Sequence, residues 1–200
     1  MHHFVGRSWR WLLAALALGV LASCASTSPP RQVNNACEIF EEKPRWLRAA
    51  KASSSRWGSS VGVMMAVIYR ESSFRHDARP PKDSVLFGLV PWGRISSAYG
   101  YAQALDGTWA WYQRETGNSW ADRDDFDDAI DFVGWYMAKT RRINGVSMLN
   151  GEHQYLAYHE GHTGYRRRTY RSKGWLMRAA REVGQLGDRY AAQLRRCRMA

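Results

Sequence analysis

The residue most clearly suited to acid–base chemistry is Glu71, which ends a largely apolar stretch. Val61, Met64, Ile68 and Glu71 are spaced by three, four and three residues, which places all four on one face of a helix. A carboxyl group that continues an apolar stripe is either paired or partly desolvated. Desolvation raises its pKa, as a general acid working near neutral pH requires. The same pattern also fits a Glu71 that is turned to solvent or paired with Arg70 or Arg75.

Two other clusters suggest metal binding, but neither has the spacing of a metal motif. Residues 159–162, His-Glu-Gly-His, are one residue short of the His-Glu-x-x-His zinc motif, so the ligand geometry is lost. The acidic run 124–128 lacks the glycine and the terminal glutamate of an EF-hand loop. Acids in the first turn of a helix suit the helix dipole instead. We therefore expect no bound metal.

Three short segments carry a family resemblance. They are residues 71–74 (Glu-Ser-Ser-Phe), 98–103 (Ala-Tyr-Gly-Tyr-Ala-Gln) and 157–161 (Ala-Tyr-His-Glu-Gly). In this order they resemble the Glu-Ser-x-Phe, Ala-x-Gly-Leu-Met-Gln and Ala-Tyr-Asn-Ala-Gly motifs of the soluble lytic transglycosylase domain, a relative of goose-type lysozymes. The resemblance covers roughly residues 45–165. It implies a mainly α, lysozyme-like helical domain with a substrate groove.

The resemblance makes Glu71 the catalytic acid/base. A lytic transglycosylase cleaves the bond between MurNAc and GlcNAc in peptidoglycan and leaves a 1,6-anhydroMurNAc end, without water as nucleophile and without a metal or organic cofactor. The residues of these three segments that we expect to bind substrate are Ser72, Ser73, Gly100, Tyr101, Gln103, Tyr158 and Glu160.

Some of these residues have a specific implied role. Ser72 would position Glu71 or the substrate N-acetyl group, and Gln103 would line the sugar groove beside the Gly100 backbone. Tyr158 would hydrogen-bond to Glu71 or to substrate. The alternatives are a surface amide for Gln103 and a core tyrosine for Tyr158.

The chain departs from the family pattern at three places. Tyr101-Ala102 replaces Leu-Met, which alters the groove wall. The loop 79–97 lengthens the spacing after Glu71 and forms a lid, a substrate-selecting arm or a surface insertion. His159-Glu160 replaces Asn-Ala and adds a second acid. If Glu160 faced Glu71 across a water, lysozyme-type hydrolysis would be open; otherwise Glu160 is a solvated charge. A non-catalytic peptidoglycan-binding lipoprotein is a further alternative.

The N-terminal region has the pattern of an export signal. A basic start and the short apolar run 11–20 lead to Leu21-Ala22-Ser23-Cys24, which resembles a bacterial lipobox. This predicts a signal peptide (1–23), a lipidated Cys24 with its tether (24–36) and a catalytic domain (37–200). Ala25 after the cysteine points to the periplasmic face of the outer membrane. The alternative is an ordinary secretory signal cleaved near Ala25.

The three cysteines agree with export. If Cys24 carries lipid, Cys37 and Cys197 remain, and the oxidising periplasm favours a disulfide between them. Two unpaired thiols are the alternative.

Helical periodicity dominates the rest of the chain, and no alternating strand pattern stands out. We predict helices over 46–57, 61–71, 124–143, 150–160 and 174–196, together with one that Asp106 caps.

The formal net charge of +11 falls to +9 if the signal, with its two arginines, is removed. An exported protein rarely meets nucleic acid, so we expect anionic partners in the envelope: peptidoglycan, the membrane through the anchor at Cys24, and other envelope proteins. The basic run 166–173 is either a solvated surface or a site for stem-peptide carboxylates or phospholipid headgroups.

Overall fold

Within residues 27–80 and 96–199, which are those that the computed structural model describes, the chain forms seven α-helices and one short 3-10 helix. No β-strand occurs in these two ranges, and a single antiparallel bridge joins Tyr99 to Ala104. The predicted mainly α, lysozyme-like class is confirmed. The α-helices are α1 (Ala36–Glu42), α2 (Pro44–Trp57), α3 (Val61–Ser72), α4 (Asp106–Thr116), α5 (Phe126–Asn144), α6 (Gly151–Arg167) and α7 (Gly174–Arg196).

Helix α3 lies at the centre of the domain. It begins after Ser60, whose side chain accepts a hydrogen bond from the Val63 N–H, and residues 62–68 are all buried. A helix that is apolar on every side is stable only inside a protein. Helix α3 packs mainly against α7 and also contacts α5 and α2. The acid at its end, Glu71, is therefore held by the most deeply packed element of the fold.

Most predicted helices end within a few residues of the observed bounds. Small differences occur at the starts of α4 and α5, which begin after Leu105 and Asp125. Asp106 was expected as a cap but lies in the first turn of α4. The side chain of Asp125 instead caps α5, because its carboxylate accepts from the N–H groups of Asp127 and Asp128. Helix α1 was not predicted, since seven residues show too little periodicity.

Helix α6 extends beyond its predicted end at Glu160, but it is broken at that place. Gly161 has φ 71° and ψ 162°, which interrupts the helix. The chain then turns back along itself, so that the Tyr165 hydroxyl lies 2.6 Å from Nδ1 of His153. In a straight helix these two residues would be about 18 Å apart. The break therefore separates the segment 162–167 from the part of α6 that faces Glu71.

A disulfide joins the two ends of the domain. Cys37 in α1 is bonded to Cys197, directly after α7, with 6.3 Å between the two Cα atoms. The predicted pairing is confirmed. None of the helices in the described part of the chain is long and apolar enough to cross a bilayer. The predicted signal peptide, Cys24 and most of the loop 79–97 lie outside the described residues.

Candidate active site

Glu71 occupies the last turn of α3 and is half-buried. Burial raises its pKa to about 7, although a hydrogen bond from Tyr155 and the charge of Arg70 both oppose this rise. Glu71 therefore keeps its proton to near neutral pH and loses it within the physiological range. A group of this kind can donate a proton and later take one back.

Tyr155 is the residue at this site that sequence reasoning missed. It lies on α6, is almost fully buried, and interacts with both Glu71 and Arg70. Burial and the nearby charge of Glu71 raise the pKa of Tyr155, so its hydroxyl stays protonated and donates to the carboxyl group. The available signal was its position one helical turn before Tyr158, on the same face of α6.

Tyr158 lies beside Glu71 but uses its hydroxyl elsewhere. The hydroxyl donates to the carbonyl oxygen of Ala102 at 2.5 Å. Burial and the charge of Glu71 raise the pKa of Tyr158 well above its ordinary value. Tyr158 thus joins α6 to the segment 98–103, whereas the sequence suggested that it bonds Glu71 or substrate.

The two serines after Glu71 shape the end of α3. The hydroxyl of Ser72 is buried and donates to the Ile68 carbonyl oxygen at 3.1 Å. Ser73 is exposed and has a left-handed conformation, with φ 53°, and its N–H bonds the Tyr69 carbonyl oxygen. Together they end the helix directly after Glu71 and direct the chain away from it.

Gly100 and Gln103 fasten the segment 98–103 to the chain beyond α3. The Gly100 N–H donates to the Ala78 carbonyl oxygen at 3.0 Å, and Nε2 of Gln103 donates to the same oxygen at 2.8 Å. Gly100 has φ 77°, and a Cβ atom there would lie 2.0 Å from the carbonyl oxygen of Arg123. Only glycine fits this position. Nε2 of Gln103 donates to backbone carbonyl oxygens, which leaves the amide oxygen of Gln103 as its hydrogen-bond acceptor for a ligand.

Tyr101 was expected in the groove wall and is instead part of the core. Only 2% of it is exposed. Its ring packs edge-on against Trp46 and Phe126, at centroid distances of 5.7 and 5.4 Å. Edge-to-face packing at such distances is favourable, and it fixes the 98–103 segment on α2 and α5.

Glu160 does not serve as a free second carboxylate. Its side chain is only 3% exposed, and it accepts hydrogen bonds from Lys173 at 2.7 Å and from Thr169. Burial alone would raise the pKa of Glu160, but the bonds from Lys173, Thr169 and His159 outweigh it and lower the pKa. Glu160 therefore stabilises the turn after α6. The sequence predicted either a catalytic acid or a solvated charge at this position.

The remaining histidines and acids are used in packing. His162 stacks on Tyr136 with 4.6 Å between ring centroids, and its Nε2 lies 3.1 Å from the Thr140 hydroxyl. Burial and the charge of Lys139 lower the pKa of His162, which favours its neutral form. The acidic run caps α5, as described above, and Arg45 pairs with two of its carboxylates.

The structure thus brings Glu71 together with one predicted residue, Tyr158, and one unpredicted residue, Tyr155. A half-buried glutamic acid at the end of a central helix, with the Tyr155 hydroxyl beside it, has the chemistry to donate a proton and to take one back. The chain matches the model of the Transglycosylase SLT domain over residues 12–197 and belongs to that family.

The match extends past residue 165 and includes α7, which the three motifs alone did not reach. Membership implies a transglycosylase that binds peptidoglycan. Among curated proteins, no sequence similar to this chain was found.

Proposed function

We propose that the protein is a peptidoglycan lytic transglycosylase that cleaves the MurNAc-β-1,4-GlcNAc bond with Glu71 as its only acid/base. The observation that carries this proposal is the burial of Glu71 at the end of α3, which raises its pKa to about 7. Glu71 is also the first residue of the segment that resembles the family motif. A single group must act first as an acid and then as a base in this reaction, and a pKa near the working pH suits both tasks.

In the proposed first step, protonated Glu71 donates its proton to the bridging oxygen as the bond from that oxygen to C1 of MurNAc breaks. The carbonyl oxygen of the MurNAc N-acetyl group stabilises the positive charge at C1. In the second step the Glu71 carboxylate removes the proton from the C6 hydroxyl, and O6 bonds to C1. The product is a 1,6-anhydroMurNAc end. Glu71 regains its proton, and no water is consumed.

The surroundings of Glu160 support this route over hydrolysis. Inverting glycosidases need a second carboxylate that activates water on the far side of the sugar. Glu160 is buried and bonded to Lys173 and Thr169, so it has no free oxygen directed at a water beside Glu71. Among the described residues, the side chain that lowers the pKa of Glu71 through a hydrogen bond is a tyrosine, Tyr155, and not a second acid.

We further propose that the protein is a lipoprotein on the periplasmic face of the outer membrane, anchored through Cys24. The lipobox-like sequence 21–24 and the disulfide between Cys37 and Cys197 support an exported protein. Mass spectrometry of the protein from membranes tests this, because a diacylated Cys24 at the N-terminus is the expected result. An unmodified N-terminus near Ala25 would contradict it.

The activity is tested with the full chain, purified in detergent and incubated with peptidoglycan sacculi, with Glu71→Gln and Glu160→Gln in parallel. Wild type and Glu160→Gln are expected to release anhydro-muropeptides, whereas Glu71→Gln releases none. Muropeptide masses identify the chemistry directly. Reducing-end products, heavier by one water, would make the enzyme a lysozyme-type hydrolase. Sacculi that bind protein but release nothing would support a binding lipoprotein instead.

A further inference from the structure

A surface beside Glu71 is bordered by α6 and α7, and it carries an exposed arginine, Arg178. Tyr155 on α6 interacts with Glu71 and Arg70, and one turn later His159 meets the Trp175 ring edge-on at 5.1 Å. These two contacts place the start of α7 at the same side of the domain as Glu71.

The exposed face of helix α7 forms the second side of this surface. Trp175, Arg178 and Glu182 are spaced by three and four residues, so they share one face of the helix, and all three are exposed. Glu182 pairs with Arg70 at 3.4 Å. Trp175 contacts His159, which is one turn from Tyr155, and Glu182 contacts Arg70, which precedes Glu71. Arg178 therefore lies on α7 between two contacts with residues near Glu71.

Arg178 forms no ion pair within the described part of the chain. The nearest acid on its own face, Glu182, is occupied by Arg70. Trp175 is 51% exposed, although a tryptophan normally buries most of its ring. A half-exposed indole beside a free guanidinium combines a flat apolar surface with a bidentate carboxylate binder.

The charge around this surface is positive. Four exposed arginines lie at the end of α6 and in the turn before α7: Arg166, Arg167, Arg168 and Arg171. None of them pairs with an acid in ranges 27–80 and 96–199. Glu160, the acid nearest to this turn, is neutralised by Lys173. The positive potential of these arginines therefore attracts an anionic group that approaches Trp175.

We propose that Trp175 and Arg178 form a substrate subsite in which the indole packs on a sugar ring and the guanidinium binds a carboxylate of the stem peptide. The inference rests on the proposed function and specifies its substrate, which is a glycan strand that still carries its peptides. Carboxylates occur both on stem peptides and, after their removal, on the lactyl group of MurNAc. The stem is the source we assign, because the lactyl carboxyl is amide-linked and uncharged in an intact strand.

Binding is measured with the full chain in the Glu71→Gln background, so that substrate is not consumed. The two probes are the tetrasaccharide (GlcNAc–MurNAc)2 with tripeptide stems and the same tetrasaccharide after an amidase has removed the stems. Arg178→Gln is expected to weaken binding of the stem-bearing probe by about tenfold or more and to leave the stem-free probe within about twofold. Trp175→Ala is expected to weaken the binding of both probes.

Arg189→Gln is the matched control, because it removes an equally exposed arginine about three turns further along α7. It should bind both probes as the parent does. An equal effect of Arg178→Gln on both probes, or no effect on either, would overturn the subsite. A stronger loss with the stem-free probe would assign Arg178 to the lactyl carboxylate and would also overturn it.

Failure of the proposed function would look different. If the binding pattern is as expected but wild-type protein cleaves neither probe, the subsite stands and the transglycosylase proposal fails. If wild type releases anhydro products equally well from stem-bearing and stem-free strands, the proposed function stands and the subsite fails.

Discussion

Glu71 holds its proton because of where α3 ends. The carboxyl group follows a fully buried stretch of helix, and desolvation outweighs the stabilising effects of Tyr155 and Arg70 on the charged form. The raised pKa of Glu71 affects both catalysis and stability, because a raised pKa in the folded state is also a free-energy cost of folding at higher pH.

The pH dependence of activity should follow the protonation of Glu71. We expect kcat/KM to fall as the pH rises through about 7, since the first step needs the protonated acid. The Tyr155 hydrogen bond lowers this pKa, so Tyr155→Phe should move the fall to higher pH, by up to about one unit. Rates on solubilised peptidoglycan between pH 4 and 9 measure it. A profile that Tyr155→Phe moves to lower pH would contradict the assigned contact.

Replacing Glu71 by glutamine should stabilise the protein at high pH. Below pH 4.5 the carboxyl is protonated in both the folded and the unfolded chain. Between 4.5 and about 7 only the unfolded chain loses the proton, which lowers the free energy of unfolding. Above 7 the penalty is constant, at about 3 kcal/mol at most.

Urea unfolding of both proteins at pH 4 and pH 8 tests this stability difference. Glu71→Gln should be the more stable protein at pH 8 and about equal to wild type at pH 4. A gain of the same size at both pH values would show that packing, and not charge, is responsible. The acid that the proposed reaction needs is then a site where stability is given up for activity.

At the scale of elements, the site depends on how the 98–103 segment is held against α3 and α6. Gly100 and Gln103 bond the Ala78 carbonyl, Tyr101 packs into the core, and Ala102 accepts from Tyr158. The segment thus connects the chain after Glu71 with the helix that carries the two tyrosines. A change at Gly100 should therefore affect the whole site.

Gly100→Ala should destabilise the protein by about 2 kcal/mol or more, since both the positive φ and the contact with the Arg123 carbonyl oppose a Cβ atom. Gly117→Ala is the matched control, because Gly117 has φ 71° but nothing within 4 Å of a Cβ atom. It should cost about 1 kcal/mol, from conformation alone. Thermal unfolding measures both changes. Equal losses would mean that the contact with Arg123 relaxes without cost.

The helices themselves were largely predictable from the sequence, but which of their faces contact one another was not. The apolar stripe leading to Glu71 predicts α3, because burial follows from periodicity within one helix, but it leaves open whether Glu71 is desolvated or turned to solvent. The contact of Tyr155 with Glu71 depends on the position of α6 relative to α3, about which local spacing says nothing.

The same reason explains why Tyr101 and Glu160 differ from expectation. Tyr101 meets Trp46 and Phe126 from distant parts of the chain, and Glu160 meets Lys173 only because the chain turns back after Gly161. A resemblance over short motifs locates the segments of a site, but partners of this kind are set by tertiary packing.

At the scale of the whole molecule, the disulfide ties the first described helix to the end of the last. The Cys37–Cys197 bond closes a loop with a sequence separation of 160 residues. The chain-entropy model gives about 5 kcal/mol of stabilisation for such a loop, as an upper value.

Replacing both cysteines by alanine should lower the free energy of unfolding by up to about 5 kcal/mol without changing the products released from peptidoglycan. The measurement is urea unfolding of the double variant, compared with wild type under non-reducing conditions. Wild type in reductant should resemble the variant. A variant that is as stable as oxidised wild type would contradict a contribution of the bond to stability.

The positions of the two cysteines also set an order of events during synthesis. The ribosome makes Cys37 early and Cys197 only after all of α7, so the bond cannot form until every helix of the domain has been translated. A nascent or truncated chain therefore exposes a reactive Cys37 thiol that a finished chain does not. Thiol-trapping during synthesis should distinguish the two, which would make the oxidised form a marker of chains whose α7 has been translated.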